Sequence, residues 1–218
     1  MFYNINYESI KKLDFNNMKL DNLPNIKKYK NLNIFDCTDN LLTNIDELPD
    51  TLEELYCGYN QITTLNNLPC NLKKLVCSFN AISELNHLPN SLISLDCSYN
   101  HLITELNNLP TSLERLSCYS CNFYNLDNLP IQLLHLYCSN NKITSLNCLP
   151  RTLEFLNCSN NRLTKLENLP PLLKILYCHD NAISTIDTIP KSLKFLNCEN
   201  NPIHYKFQSL QNDSSTTK

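Results

Sequence analysis

Residues 52–71 read Leu52-Glu53-Glu54-Leu55-Tyr56-Cys57-Gly58-Tyr59-Asn60-Gln61-Ile62-Thr63-Thr64-Leu65-Asn66-Asn67-Leu68-Pro69-Cys70-Asn71, and Leu72 then starts the same frame again. The frame recurs at Leu72/Leu75/Cys77/Asn80/Ile82/Leu85/Leu88-Pro89 and at Leu153/Leu156/Cys158/Asn161/Leu163/Leu166/Leu169-Pro170. Nine cysteines mark it along the chain: Cys37, Cys57, Cys77, Cys97, Cys118, Cys138, Cys158, Cys178 and Cys198. Their spacing is 20 residues throughout, except for the 21 between Cys97 and Cys118. A fixed period of this length makes each repeat one coil of a solenoid, stacked on the coil before it.

Each position has a physical role. Leu55 and Cys57 alternate at period two, as in a short strand with one buried face. Strands of successive coils then run parallel, about 4.8 Å apart. Leu52, Ile62, Leu65 and Leu68 are expected to point into the same narrow core from the other sides of the coil. No single coil can bury them alone, so neighbours must stack. The Asn column (Asn40, Asn60, Asn80, Asn100, Asn141, Asn161, Asn181, Asn201) falls where the chain leaves the strand. A side-chain amide both donates and accepts there, so it satisfies turn backbone that the coil would otherwise bury unpaired.

The segment L-x-x-L-x-[LC]-x-x-[NC]-x-[LI] resembles the leucine-rich repeat family over about residues 32–204. Nine residues remain per repeat beyond it, and they carry a Leu-Pro pair. Proline holds the preceding residue extended, so the convex side is expected to be extended or 3₁₀. The short unit with Leu-Pro-x-x-Leu looks like the repeats of bacterial effectors of the YopM and IpaH type. The cysteine-for-leucine variant also resembles leucine-rich repeat proteins of giant DNA viruses. The expected fold is an α/β-class leucine-rich repeat solenoid of about nine coils. A curved parallel β-sheet would form its concave face, about 40 Å long, with little helix.

Three segments are expected. Residues 1–31 form an N-terminal cap with a degenerate repeat, in which Leu13-Asp14-Phe15 to Leu23-Pro24 echoes the frame. Phe2, Tyr3, Ile5, Tyr7 and Ile10 would close the open core there. Residues 32–204 hold about nine repeats. Residues 205–218 are a cap remnant, with Phe207 and Leu210 closing the last coil and a polar tail from Gln211.

Composition narrows the function. Net charge is −3 and the isoelectric point is near 5.9, which gives no electrostatic case for nucleic acid or an anionic membrane. No stretch reaches the roughly 18–20 apolar residues of a membrane span, and the N-terminus lacks a signal core. Of the 12 cysteines, nine are coil positions with parallel Cβ vectors. A disulfide needs Cβ atoms nearer, about 3.8 Å apart, and turned toward each other. Reduced thiols packed as small hydrophobes are the expectation, and hence an intracellular, reducing compartment, the cytoplasm or that of a host cell. One Gly and two Ala against many Asn, Lys, Ile and Tyr is the bias of an AT-rich genome, which fits a giant virus or a protist.

Two irregularities stand out. After Asn100 the fourth repeat carries one extra residue around Leu102, expected to form a convex bulge. In the fifth repeat Cys121 replaces the ladder Asn. Cys118-x-x-Cys121 spans a core and a ladder position, and a structural zinc site needs four ligands, so no metal is assigned. Cys70 and Cys148 lie off the column near the Leu-Pro turns and are expected to be exposed.

No catalytic site is assigned. The five histidines (His87, His101, His135, His179, His204) occupy different columns, and none has a nucleophile or acid at a useful spacing. With Gly58 the sole glycine, a backbone phosphate cradle has no material. IpaH-type effectors join such repeats to a separate ubiquitin-ligase domain, and here only a short stretch follows the last repeat. No cofactor is expected.

What remains is the surface. Two columns flank the buried strand Leu. One runs Ile34, Glu54, Lys74, Ser94, Arg115, His135, Phe155, Ile175, Phe195; the other runs Asp36, Tyr56, Val76, Asp96, Ser117, Tyr137, Asn157, Tyr177, Asn197. From His135 onward, with Tyr137, Phe155, Ile175, Tyr177 and Phe195, they make an apolar, aromatic patch. Such a patch marks a partner-protein site; the alternative is that Tyr and Phe simply suit half-exposed strands. Both Phe155 and Tyr177 point outward in this register, so Glu at either is expected to leave folding nearly intact. A second row, Tyr59, Phe79 and Tyr99, is expected to stack as a spine at the strand exit. The expected function is a non-catalytic module that binds another protein through its concave face, a viral or effector protein acting on a host protein. A structural, self-associating protein such as a virion component is the alternative.

Overall fold

Strands three residues long carry the whole concave face. In the computed structural model, which describes residues 6–203, they are β1 (Lys12–Asp14), β2 (Ile34–Asp36), β3 (Glu54–Tyr56), β4 (Lys74–Val76), β5 (Ser94–Asp96), β6 (Arg115–Ser117), β7 (His135–Tyr137), β8 (Phe155–Asn157), β10 (Ile175–Tyr177) and β12 (Phe195–Asn197). All ten are parallel and ordered β1-β2-β3-β4-β5-β6-β7-β8-β10-β12. Two further strands, β9 (Lys165–Leu166) and β11 (Thr185–Ile186), pair with each other on the return side of the coils. Phe2, Tyr3, Ile5, His204, Phe207, Leu210 and the polar tail lie outside the described residues.

The register is the repeat itself. Leu55 pairs Leu75, Leu75 pairs Leu95, and Leu136 pairs Leu156. Inside the array each strand's central residue and the Cys two positions later are buried, as at Leu55 and Cys57. Leu52, Ile62 and Leu65 close the same core, while the Leu of the Leu-Pro pair (Leu68, Leu88, Leu109) is only half-buried. A turn ends each return side, in which Leu52 N–H donates to the Pro49 carbonyl (3.1 Å), and the same bond joins Leu72 to Pro69 and Leu173 to Pro170. The convex side is otherwise extended, and the one helical turn among the described residues is 3₁₀, at Tyr7–Ser9.

The Asn column ties each coil to the coil before it. Asn80 Nδ2 donates to the carbonyls of Cys57 (3.0 Å) and Cys77 (3.1 Å), and its Oδ1 accepts from Ile62 N–H (2.9 Å). Asn60, Asn100, Asn141, Asn161, Asn181 and Asn201 repeat the donor pattern. The buried thiols join in, as Cys37 Sγ donates to the Tyr56 carbonyl (3.4 Å) and Cys77 Sγ to that of Asp96 (3.4 Å). A second ladder runs along the other edge. Hydroxyls two residues after Pro reach back one coil, as when Ser91 Oγ donates to the carbonyls of Cys70 and Leu72 and Thr152 Oγ1 to those of Ile131 and Leu133.

The two irregularities are one feature. Cys121 offers no amide oxygen, so the Asn-type acceptor for Ile103 N–H is missing. The extra residue forms the turn Asn100–Ile103, which bonds Ile103 N–H to the Asn100 carbonyl (3.1 Å) instead. Ile103 stays fully buried and Leu102 is pushed out, 58% exposed. The Cys121 thiol makes only weak donations, to the carbonyls of Cys97 (3.5 Å) and Tyr119 (3.7 Å). The bulge thus sits directly at the Asn position, facing the coil that lacks the ladder amide.

Candidate functional site

Parallel stacking brings like positions of adjacent coils side by side. His135 pairs Phe155, Phe155 pairs Ile175, and Ile175 pairs Phe195, an unbroken column across β7, β8, β10 and β12. Tyr137 and Tyr177 lie in the second column, separated there by Asn157. Phe155 bridges that gap, with ring centroids 4.6 Å from Tyr137 and 5.9 Å from Tyr177. Tyr177 continues to Phe195 at 5.0 Å, and His135 to Phe155 at 6.3 Å. All six residues sit on one face. Phe195, on the outermost described strand, is 45% exposed and the others are half-buried.

The half-burial matters. The rings cover one another, so they are not free outward pendants as the register alone implied. Aromatic pairs of this kind contribute about 0.5–1.5 kcal/mol each beyond area burial. A charge placed at Phe155 removes three of them, which corrects the expectation of a nearly neutral substitution.

Charges border the patch. Lys174 Nζ donates to Glu154 Oε2 (2.7 Å), and this bond holds the Glu154 carboxyl below its usual range. His135 is shifted downward as well. Burial first, and then the Arg115 guanidinium, lower its pKa, which favours the neutral ring. Its Nδ1 is buried without a hydrogen-bond partner. Among the described residues no acid or nucleophile bonds to it.

The N-terminal half of the face is different. Tyr56 donates its hydroxyl to Glu54 Oε2 (2.7 Å), and Lys74 Nζ lies 4.9 Å from the Tyr56 ring centroid. At the strand exit Tyr59 stacks on Phe79 (4.2 Å, 12° between planes) and Phe79 on Tyr99 (3.8 Å, 21°). Tyr119 and His101 meet Tyr99 edge-on, at 5.0 and 6.2 Å. Sequence reasoning found this row but missed its backbone. Its position is left-handed in every coil, from Asp39 (φ 55°) through Tyr59 (52°), Phe79 (55°) and Tyr99 (55°) to Asn200 (54°). Asp, Asn and Ser fill the other six places and tolerate that conformation. Bulky residues there are outliers that cost about 1–2 kcal/mol each. The stacking is what offsets that cost.

All 12 cysteines are free thiols. Burial pushes Cys37, Cys138 and Cys178 up to about 12 and Cys121 to about 11, and drives Cys57, Cys77, Cys97, Cys118 and Cys158 well above their ordinary value. The thiolate is the reactive form, so burial lowers the reactivity of this column. Cys70 and Cys148 are exposed, on the convex side. Among the described residues no group of three or more His, Cys, Asp or Glu side chains is arranged to hold a metal ion. Among them also, no helix is long and apolar enough to cross a membrane.

A parallel sheet with one short strand per 20-residue coil, an Asn ladder at each strand exit and an extended return side is the leucine-rich repeat solenoid. Its structural neighbours are leucine-rich repeat proteins. YopM from Yersinia enterocolitica aligns at a TM-score of 0.77 with 37% identity, over 84% of this chain and 39% of its own. An internalin from Listeria monocytogenes aligns at 0.75 with 24% identity, over 90% of this chain and 69% of its own. InlJ from Listeria monocytogenes, whose functional domain includes a cysteine ladder, aligns at 0.61 with 24% identity, over 91% of this chain and 56% of its own. At such identity the last two show the fold alone. The chain spans well under half of the YopM chain. No protein-family model matches the sequence, and neither does any curated protein.

Proposed function

We propose that this chain is a non-catalytic protein-interaction module that binds a partner protein through the C-terminal half of its concave face. One observation carries the reading: His135, Tyr137, Phe155, Tyr177 and Phe195 touch ring to ring across four adjacent coils, and Ile175 pairs between Phe155 and Phe195 on the same face. Tyr and Phe recur at interface hot spots because they supply contact area at low entropic cost. The likeness to YopM supports an effector-like role against a host protein. The cysteine-for-leucine frame is the ground for placing its origin in a giant virus. The thiol column supports action in a reducing compartment, and the net charge of −3 gives no electrostatic support to a nucleic-acid or anionic-membrane partner.

The test uses the full chain as bait in host-cell lysate beside a Phe155→Glu/Tyr177→Glu variant that circular dichroism shows to be folded. A protein captured by the first and lost by the second supports the reading, once the purified pair is shown to bind directly. Equal capture by both removes the patch from the function. Self-association through the same patch is the second reading, favoured by the exposure of Phe195 on the outermost described strand. Sedimentation of the purified chain over a range of concentrations separates the two.

A further inference from the structure

The left-handed row at the strand exit presents a second aromatic surface. Tyr59, Phe79 and Tyr99 stack face to face along the solenoid axis, and Tyr119 and His101 close the Tyr99 end edge-on. The other end is open. Phe79 covers one face of Tyr59, and the opposite face looks back toward the preceding coil, where no ring lies over it among the described residues. Tyr59 is 52% exposed. The residue at the same position of that coil is Asp39, which is exposed. Backbone bonds hold the two coils in register there, with Asp39 N–H on the Gly58 carbonyl (3.0 Å) and Asn40 N–H on that of Tyr59 (3.1 Å). Among the described residues the Asp39 carboxylate accepts no hydrogen bond and joins no ion pair.

Two more carboxylates add to the field. Asp14 and Asp36 pair across β1 and β2, and each accepts a backbone N–H two residues on, at Asn16 and Thr38. Lys12 shares β1 with Asp14, and Lys74 is engaged over the Tyr56 ring; neither forms an ion pair with Asp39. The result is an open aromatic face one coil from an exposed carboxylate that has no ion-pair partner among the described residues. Planar cations fit such a site best, because a guanidinium stacks flat on a ring while its edge pairs bidentately with a carboxylate, and an ammonium is a point charge without that planar fork. The residue choice points the same way. Asn140, Asn160 and Asn200 show that Asn serves this backbone position, so three successive bulky rings are not required by the turn.

We infer that the open face of Tyr59 and the Asp39 carboxylate take an arginine side chain from a basic segment of a partner protein. This surface is on the N-terminal half and does not depend on the patch proposed above. The probe is a fluorescein-labelled peptide of alternating Gly and Arg, compared by fluorescence anisotropy with the same peptide carrying Lys. The full chain is compared with Tyr59→Asn, Asp39→Asn and Phe155→Glu variants. The two Asn variants keep a residue that the position accepts. The arginine peptide is expected to bind about threefold to tenfold more tightly than the lysine peptide. Tyr59→Asn and Asp39→Asn should each erase that preference, and Phe155→Glu should leave it intact. Equal affinity for the two peptides, no binding of either, or an arginine preference that survives Tyr59→Asn overturns the assignment.

Discussion

Replacing Cys121 by Asn would restore the amide that the coils on either side carry, yet the structure predicts that this restoration gains nothing by itself. The amide oxygen would face Ile103 N–H, which already donates to the Asn100 carbonyl at 3.1 Å. An orphaned buried acceptor costs about 1–3 kcal/mol, while the Nδ2 group would gain bonds worth about 0.5–1.5 kcal/mol each. The single variant should therefore lie within about 1 kcal/mol of wild type. Deleting Leu102 alone removes the turn and leaves Ile103 N–H facing a thiol, which costs about 1–3 kcal/mol. Little burial is lost with it, because Leu102 is 58% exposed. In the double variant the N–H and the amide oxygen meet, as Ile82 and Asn100 do at 3.0 Å. Both orphans vanish together, so the coupling energy should be about 2–4 kcal/mol in favour of the double variant. Urea denaturation followed by circular dichroism, with unchanged slopes, measures it. Effects that add to within about 0.5 kcal/mol would refute the link between bulge and thiol.

The thiols give a chemical prediction. Native protein treated with iodoacetamide should alkylate fast at Cys70 and Cys148 and slowly at the half-buried Cys198, with the nine buried thiols silent until urea is added; mass spectrometry that finds Cys118 or Cys121 labelled early would contradict the packing. Cys138→Asp should prevent folding or cost well over about 4 kcal/mol, since it buries an unpaired carboxylate in place of a fully buried thiol; a thermal melt near wild type would be the contrary result. Phe155→Glu should lower stability by about 1–3 kcal/mol through its three ring contacts, and a loss below about 0.5 kcal/mol would mean that the rings do not pack as described. His135 predicts a pH effect. Its folded pKa is lowered, by burial and Arg115 against the opposing Glu154 and Glu114 and with Lys174 adding to the lowering. The unfolded chain takes up the proton first, so stability is full above the ordinary value of 6.5 and falls as pH drops below it. His135→Phe should flatten that part of the melting-temperature profile, and an unchanged profile would remove His135 as its source.

Much of the fold was legible because it is periodic. One Leu-x-x-Leu-x-Cys frame is a weak signal, but repetition at a constant step sets strand, core face and register together. The columns read from the sequence are those that pair, Glu54 with Lys74 and Phe155 with Ile175. The rest was hidden for physical reasons. Leu102 and Cys121 were each visible as departures, but what joins them is the Ile103 N–H, which bonds within its own turn because the next coil offers no amide, and backbone groups have no letter in the sequence. The left-handed turn at Tyr59 was hidden because the usual sign of such a turn is glycine, and this chain has one glycine in all. Its trace lay in the column, since Asp39, Ser120, Asn140, Asn160, Asp180 and Asn200 are residues suited to that conformation. The hydroxyl ladder at Ser91, Ser112, Thr152 and Ser192 carried a similar trace, a Ser or Thr two residues after Pro.

In a solenoid each coil touches only its neighbours, so a change in one coil is felt locally. The six-residue patch of β7, β8, β10 and β12 and the open ring of Tyr59 beyond β3 are separated by the coils of β4, β5 and β6. Their chemistry also differs: the first is ring against ring with its charges paired at the border, and the second is a bare ring one coil from an exposed carboxylate. A single extended partner that spans both would lose affinity on either substitution, with the two losses adding when each site acts alone. Two separate partners would each respond to one substitution only. Measuring a captured partner against Phe155→Glu, Tyr59→Asn and their combination therefore distinguishes one long interface from two short ones. A loss on combination that falls clearly short of, or exceeds, the sum of the single losses would mean that the intervening coils transmit strain, contrary to the nearest-neighbour behaviour that the repeat implies.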